Sequence, residues 1–76
     1  MTKPEFLKLL DELLELPPGT LKGPEPLGSL SQWDSLASVG FIALVDRHLG
    51  LAVEPGKIGE AESVNDLVAL VQSKLQ

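Results

Sequence analysis

Residues 33–50 read WDSLASVGFIALVDRHLG, and within this stretch the sequence changes from a loop pattern to a helix pattern. Asp34 is a residue type that caps a helix N-terminus through its side-chain oxygen. Apolar residues at helical spacing follow it, two basic residues suit the negative end of the helix dipole, and Gly50 suits a left-handed stop. The stretch therefore predicts a helix that begins at Asp34 or Ser35 and ends at Gly50.

The serine at the start of this helix offers the most useful chemistry in the chain. Its hydroxyl is expected to be exposed, beside backbone N–H groups without intrahelical partners and at the positive end of the helix dipole. Such a position suits an anionic phosphate ester. We therefore predict a covalently attached, phosphate-bearing arm on Ser35; the alternative is an ordinary serine at a helix N-terminus.

The apolar residues of this helix predict which face it buries. The expected stripe, with two residues that widen it, is Leu36, Val39, Ile42, Ala43 and Val45, then Phe41 and Leu44. Because the helix is apolar almost all round, we expect burial on more than one side. Gly40 costs about 1 kcal/mol of helix propensity relative to alanine, and it would let a partner or a neighbouring helix approach closely.

The flanking segments predict the other helices. Thr2 to Glu5 reads as a capping box for a first helix that Pro17-Pro18-Gly19 stops. Residues 54–61 contain proline and two glycines, which allow one helical turn at most. Residues 63–66 read as a second capping box, and a last helix should run almost to Gln76.

The connection of residues 17–34 is long, but apolar residues are spaced through it. Leu21, Leu27, Leu30 and Trp33 are expected to anchor it to the core. The chain is thus predicted to be a single domain over residues 1–76. Its fold class is all-α, a small four-helix bundle with three main helices, a short third helix and a long first loop.

Composition excludes several functions. Acidic residues outnumber basic ones 11 to 6, for a formal net charge of -5, which argues against nucleic acid or a membrane as partner and favours a basic protein surface. Without cysteine there is no disulfide, thiolate metal site or thiol nucleophile in the polypeptide. No apolar run approaches the ~20 residues that span a bilayer, and no secretory signal is apparent. A cytoplasmic monomer without bound metal is expected.

The titratable side chains suggest no catalytic site. His48 is best explained as a cation at a helix C-terminus. The acidic residues expected on solvated faces are Asp11, Glu12, Glu15, Glu60, Glu62 and Asp66. No two of them have a spacing that favours acid–base catalysis, so the chain is not predicted to be an enzyme.

One register of residues runs through most of the chain: Asp34-Ser35-Leu36, Val39, Ile42, Val45, Leu49-Gly50, Val53, Ser63-Val64 and Leu67-Val68. With these residues the chain resembles the acyl carrier protein family over nearly its entire length. The resemblance implies that a phosphopantetheinyl transferase attaches 4′-phosphopantetheine from coenzyme A to Ser35. The arm would then carry acyl groups as thioesters between acyl-loading and acyl-processing enzymes of fatty-acid, polyketide or related specialised biosynthesis.

The resemblance also implies roles for other residues. Those assigned to partner recognition are Asp34, Leu36, Val39, Gly40 and Phe41. The predicted helix that ends at Gly50 lacks the run of acids found in carriers of fatty acid synthesis, since the matching positions are Ala37, Gly40, Asp46, Arg47 and His48. A dedicated set of partners with an apolar docking face is therefore expected.

Four apolar residues match positions that line the acyl cavity in the family: Val45, Val53, Ala61 and Leu67. They could enclose an aliphatic chain or simply pack in the core, and the sequence leaves both open. Two alternative functions also remain. An aminoacyl or peptidyl carrier shares the serine and the arm, whereas an unmodified helical interaction domain would not need Ser35. A DNA-binding module is disfavoured by the acidic balance.

Overall fold

Helices supply nearly all the regular structure in the computed structural model, which describes residues 1–76. Four α-helices and two 3₁₀ segments make the chain 59% helical, without strands. The α-helices are α1 (Lys3–Leu13), α2 (Ser35–Leu49), α3 (Pro55–Glu60) and α4 (Val64–Leu70), and the 3₁₀ segments are Leu27–Ser29 and Gln72–Lys74. The all-α prediction is confirmed. No helix is both long enough and apolar enough to cross a bilayer.

Helix α1 begins as predicted and ends earlier. The Thr2 hydroxyl accepts from the Glu5 N–H, and the Glu5 carboxylate accepts from the Thr2 N–H at 2.9 Å. The helix stops at Leu13, however, because Glu15 takes a left-handed φ of 59°. The Leu16 N–H then bonds to the Asp11 carbonyl at 2.8 Å, closing a Schellman motif. Glycine is the usual residue at that position, so the sequence did not predict that the helix would end at a glutamate.

Asp11 is buried, and its assignment to a solvated face is wrong. Its side chain is 1% exposed. One carboxylate oxygen accepts from the Gly19 N–H at 2.9 Å and the other from the Leu21 N–H at 3.0 Å. Asp11 therefore ties the start of the long loop to α1.

The rest of the loop is held against the start of α4. The Asn65 N–H donates to the Gly23 carbonyl at 2.8 Å, and the Leu27 N–H donates to the Glu62 carbonyl at 2.8 Å. Gly23 has a φ of 126°, and a Cβ there would collide with the Asn65 side-chain oxygen. The four predicted anchors all pack in or against the core: Leu21, Leu27, Leu30 and Trp33. Their assignment is confirmed.

Glu25 closes a turn within this loop, and we expect it to make stability depend on pH. Burial, the largest single influence, raises the pKa of its carboxyl. The N–H groups of Lys22, Glu25 and Gly23 and the Lys22 charge outweigh it, so the pKa falls below the ordinary 4.5. A carboxyl whose pKa is lower in the folded than in the unfolded chain stabilises the fold at pH values above its unfolded-state pKa. This stabilisation is lost as the pH falls through its folded-state pKa.

Glu25→Gln should therefore lower the free energy of unfolding at pH 7, and the difference from wild type should shrink below pH 4.5. Urea unfolding at pH 7 and at acid pH measures it. Glu54→Gln is the matched control, because Glu54 is exposed and its side chain caps no helix. A difference that stays constant across this range would contradict the prediction.

Helix α2 has the predicted bounds, but its buried face agrees with the predicted one only in part. Asp34 caps it, and Gly50 ends it with a left-handed φ of 64°. The buried residues are Ala37, Phe41 and Val45. Leu36 is 79% exposed, Val39 is 63% exposed and Ala43 is also exposed. The predicted burial is confirmed at Phe41 and Val45. It is wrong at Leu36, Val39 and Ala43, because α2 meets the core along the 37–41–45 line.

The C-terminal part follows the local signals with shorter helices. Helix α3 has six residues, slightly more than the single turn predicted. Ser63 and Asp66 form the predicted capping box of α4. Helix α4 ends at Leu70 rather than near Gln76, because an i to i−3 bond from the Val71 N–H to the Val68 carbonyl tightens its last turn.

All four α-helices and the loop contribute to one hydrophobic core of 14 buried residues. Phe41 lies within it, and its ring meets those of Phe6 and Trp33 edge to face, at centroid distances of 6.0 and 6.2 Å. The N-terminal half of α2 is thereby fixed against α1 on one side and the end of the loop on the other.

Candidate functional site

Ser35 is the first residue of α2, and its side chain is exposed. The Ser35 hydroxyl makes no hydrogen bond within the chain, unlike the nearby Ser38 hydroxyl, which donates to the Asp34 carbonyl at 3.2 Å. An exposed hydroxyl without an internal partner can be approached by a second molecule. The access that the sequence predicted for Ser35 is present.

The turn before Ser35 is held from both sides. The Trp33 N–H donates to the Leu30 carbonyl at 3.0 Å, and the Trp33 ring packs on Phe41. Asp34 is extended, with a φ of −139°, and its Oδ1 accepts from the Ala37 N–H at 2.8 Å. Ser35 therefore lies at a defined point on a rigid base.

The backbone around Ser35 favours negative charge. The N–H groups of Ser35 and Leu36 have no acceptor within the chain, since the Asp34 side chain serves only Ala37. They lie at the positive end of a 15-residue helix with no acidic residue in its first turn. The Asp34 carboxylate is the one negative group built into this end. A singly charged diester on Ser35 could still accept bonds from the two free N–H groups.

The residues predicted to recognise partners fall into two groups. Asp34, Leu36 and Val39 are exposed around Ser35 and along one side of α2. Phe41 is fully buried, so its assignment to the recognition surface is wrong. Helical geometry explains the difference, because positions 39 and 41 point about 200° apart around the helix axis.

Gly40 admits the neighbouring helix. A Cβ at this position would lie 2.7 Å from Leu13 Cδ1, so its absence lets α1 and α2 approach closely. Gly40 is half-buried and also lines the surface groove between these helices. The sequence left open whether Gly40 admits a partner or a neighbouring helix, and in the structure the close neighbour is α1.

A shallow groove of about 540 Å³ runs between the end of α1 and the first half of α2. We call it the α1–α2 groove. Its apolar lining includes Leu13, Leu36, Val39 and Ala43. Its polar lining residues are Glu15, Gln32 and Asp34. Sequence reasoning did not find Leu13, because its role depends on how the two helices pack. The exposed apolar residues next to Ser35 thus form one continuous surface.

The four residues matched to an acyl cavity lie at or beside the core. Val45 is 0% and Leu67 is 1% exposed, while Val53 and Ala61 are half-buried against the core. No groove reaches Val45, Ala61 or Leu67; Val53 lines only a small depression of about 180 Å³ with Leu51 and Leu70. In this structure these residues pack as core.

We also searched the side chains for a metal site, for unpaired buried polar atoms and for a placement of His48 within a site. No three His, Asp or Glu side chains lie close enough together to hold a metal ion. Every buried side-chain nitrogen and oxygen has a hydrogen-bond partner within the chain. His48 is exposed in the last turn of α2. What distinguishes Ser35 is an exposed hydroxyl without an internal hydrogen-bond partner at the N-terminus of a 15-residue helix. Comparison with known protein families, curated proteins and solved structures finds no match for this chain.

Proposed function

We propose that this chain is a free-standing carrier protein of the acyl carrier type, with 4′-phosphopantetheine attached to Ser35. In this proposal its helices form a four-helix bundle that acts as a cytoplasmic monomer. The observation that carries the proposal is the exposed Ser35 hydroxyl, without an internal partner, at the N-terminus of α2. It is combined with a motif whose register continues along the chain to Val68.

The position suits the attachment chemistry. A phosphopantetheinyl transferase would form an oxygen–phosphorus bond at Ser35 Oγ, with loss of the hydroxyl proton and release of the nucleotide part of coenzyme A. The resulting diester would lie beside the free N–H groups of Ser35 and Leu36. Once attached, the arm supplies a terminal thiol, which the chain itself lacks.

The chain's own residues would supply binding and position rather than catalysis. Trp33 and Phe41 make the base of the arm rigid. A tether of fixed origin presents its cargo to partner sites at high effective concentration. The reactions would belong to the transferase and to enzymes of fatty-acid, polyketide or related specialised biosynthesis.

Partner enzymes would dock on the α1–α2 groove. Leu36 and Val39 are the exposed large apolar side chains there, and exposed apolar surface of this kind is typical of interaction sites. Acidic side chains on α2 are limited to Asp46, so charge steering along this helix would be weak. We therefore propose dedicated partners with a complementary apolar surface.

The same exposed groove keeps an alternative open. A helical interaction domain that is never modified would also present Leu36 and Val39. An aminoacyl or peptidyl carrier would share every feature described at Ser35. Modification of Ser35 separates the first alternative from the proposal, and the identity of the cargo separates the second.

Incubation with coenzyme A and a promiscuous phosphopantetheinyl transferase tests the proposal. We expect intact-mass measurement to show one phosphopantetheine adduct on the wild-type chain and none on Ser35→Ala. Ser38→Ala is the matched control and should still be modified, because the Ser38 hydroxyl is bonded to the Asp34 carbonyl. A wild-type chain that stays unmodified while a known carrier reacts would overturn the proposal.

A further inference from the structure

A second groove concentrates positive charge on this acidic chain. It lies between α1 and the loop at residues 19–22, has a volume of about 440 Å³, and is called here the lysine groove. Three of the chain's six basic residues line it, namely Lys3, Lys8 and Lys22. The lysine groove shares no lining residue with the α1–α2 groove.

The floor of the lysine groove is apolar and firmly built. Leu7 and Leu21 are buried there at 9% and 2% exposure. Asp11 also lines the groove, but both of its carboxylate oxygens accept backbone N–H groups, from Gly19 and Leu21. Because the rest of the chain covers Leu7 and Leu21 almost fully, the accessible apolar surface of the groove is Pro4 and the lysine stems. The one carboxylate of the groove is already engaged.

No lysine side chain of the groove donates a hydrogen bond to a carboxylate, although the Lys22 charge also acts on the nearby Glu25 carboxylate. Lys3 Nζ donates to the neutral Asn65 Oδ1 at 3.1 Å. Lys22 Nζ lies beside the Gly19 backbone, 4.0 Å from where a Cβ would stand. All three side chains are exposed. Counting Asp11, the lining has a formal charge of about +2, against -5 for the chain.

We propose that the lysine groove binds an acidic peptide segment of a partner protein. An apolar side chain of the peptide would lie on Pro4 and the lysine stems, and flanking carboxylates would pair with the lysine ammonium groups. This interaction is independent of any modification of Ser35.

The short distance over which charges interact in salt solution favours a peptide over an anionic membrane as the ligand. A short peptide places its few carboxylates within the Debye length of about 8 Å from the lysines. An extended anionic surface would also approach the acidic residues that give the chain its net charge of -5.

NMR titration of the ¹⁵N-labelled full chain, carrying Ser35→Ala, tests the proposal. The probes are blocked peptides in which one leucine is flanked by glutamates at several spacings, and the same peptides with glutamine. We expect amide shifts at Lys8, Gly19, Leu21 and Lys22 with the glutamate peptides only. Failure of the whole panel to shift these signals would overturn the proposal.

Charge-reversed variants sharpen the test. Lys22→Glu should weaken peptide binding about three- to tenfold, and Lys8→Glu, on the regular helix, should repeat the effect without altering the loop. Lys74→Glu makes the same charge change at an exposed position outside the groove and should bind normally. The proposal would be contradicted if Lys74→Glu weakened peptide binding equally. It would also be contradicted if no peptide bound and the chain instead sedimented with phosphatidylglycerol vesicles in a manner that depends on Lys22.

Discussion

Asp11→Ala should destabilise the chain by about 2–5 kcal/mol, because it leaves two backbone N–H groups without their acceptor. These are the Gly19 and Leu21 N–H groups, now 2.9 and 3.0 Å from the carboxylate oxygens. Asp11 is 1% exposed and Leu21 is 2% exposed, so water replaces the lost bonds poorly. Urea unfolding at pH 7 measures the loss of unfolding free energy.

Hydrogen exchange gives a local readout of the same change. The Leu21 amide should lose protection in Asp11→Ala, because its bond to Asp11 secures the first part of the loop. Asp11→Asn should fall between alanine and wild type, since an amide retains one acceptor oxygen. Glu12→Ala is the neighbouring exposed control, with an expected change within about 0.5 kcal/mol. Equal stability of the Asp11 and Glu12 variants would contradict this account.

Phe41→Ala should cost about 3–5 kcal/mol, the usual range for removing a buried aromatic ring. The ring is 0% exposed and meets Phe6 and Trp33 edge to face. Its loss would leave a cavity between α1, α2 and the end of the loop. Thermal or urea unfolding, followed by Trp33 fluorescence, measures both the loss of stability and the change around the indole.

Val39→Ser is the comparison variant two residues away, and we expect it to leave stability nearly unchanged while it affects function. Val39 is 63% exposed, so the variant should change stability by no more than about 0.5 kcal/mol. If the proposed carrier function is right, it should slow transfer of cargo to a partner enzyme through loss of apolar contact. A strongly destabilised Val39→Ser, or a fully stable Phe41→Ala, would contradict the burial of α2 along the 37–41–45 line.

Helix starts and the position of the candidate site follow from local sequence. Thr2 and Ser63 begin their helices through capping boxes that close within four residues. Asp34 begins α2 with a side-chain cap, and Gly50 ends it with a left-handed turn. Both are local features, and together they place Ser35 at an exposed helix N-terminus. These features were predictable because the groups that make them are neighbours along the chain.

Three features were decided only by tertiary structure. Glu15 accepts a left-handed conformation although its residue type does not favour it. Asp11 is buried because a loop eight to ten residues away brings it two N–H donors. Helix α2 is apolar almost all round, so periodicity alone could not choose its buried face; contact with Phe6 and Trp33 selects Phe41 and leaves Leu36 and Val39 exposed. Local hydrogen bonds set where helices begin, whereas packing between distant segments sets which side of each helix meets the core and which meets a partner.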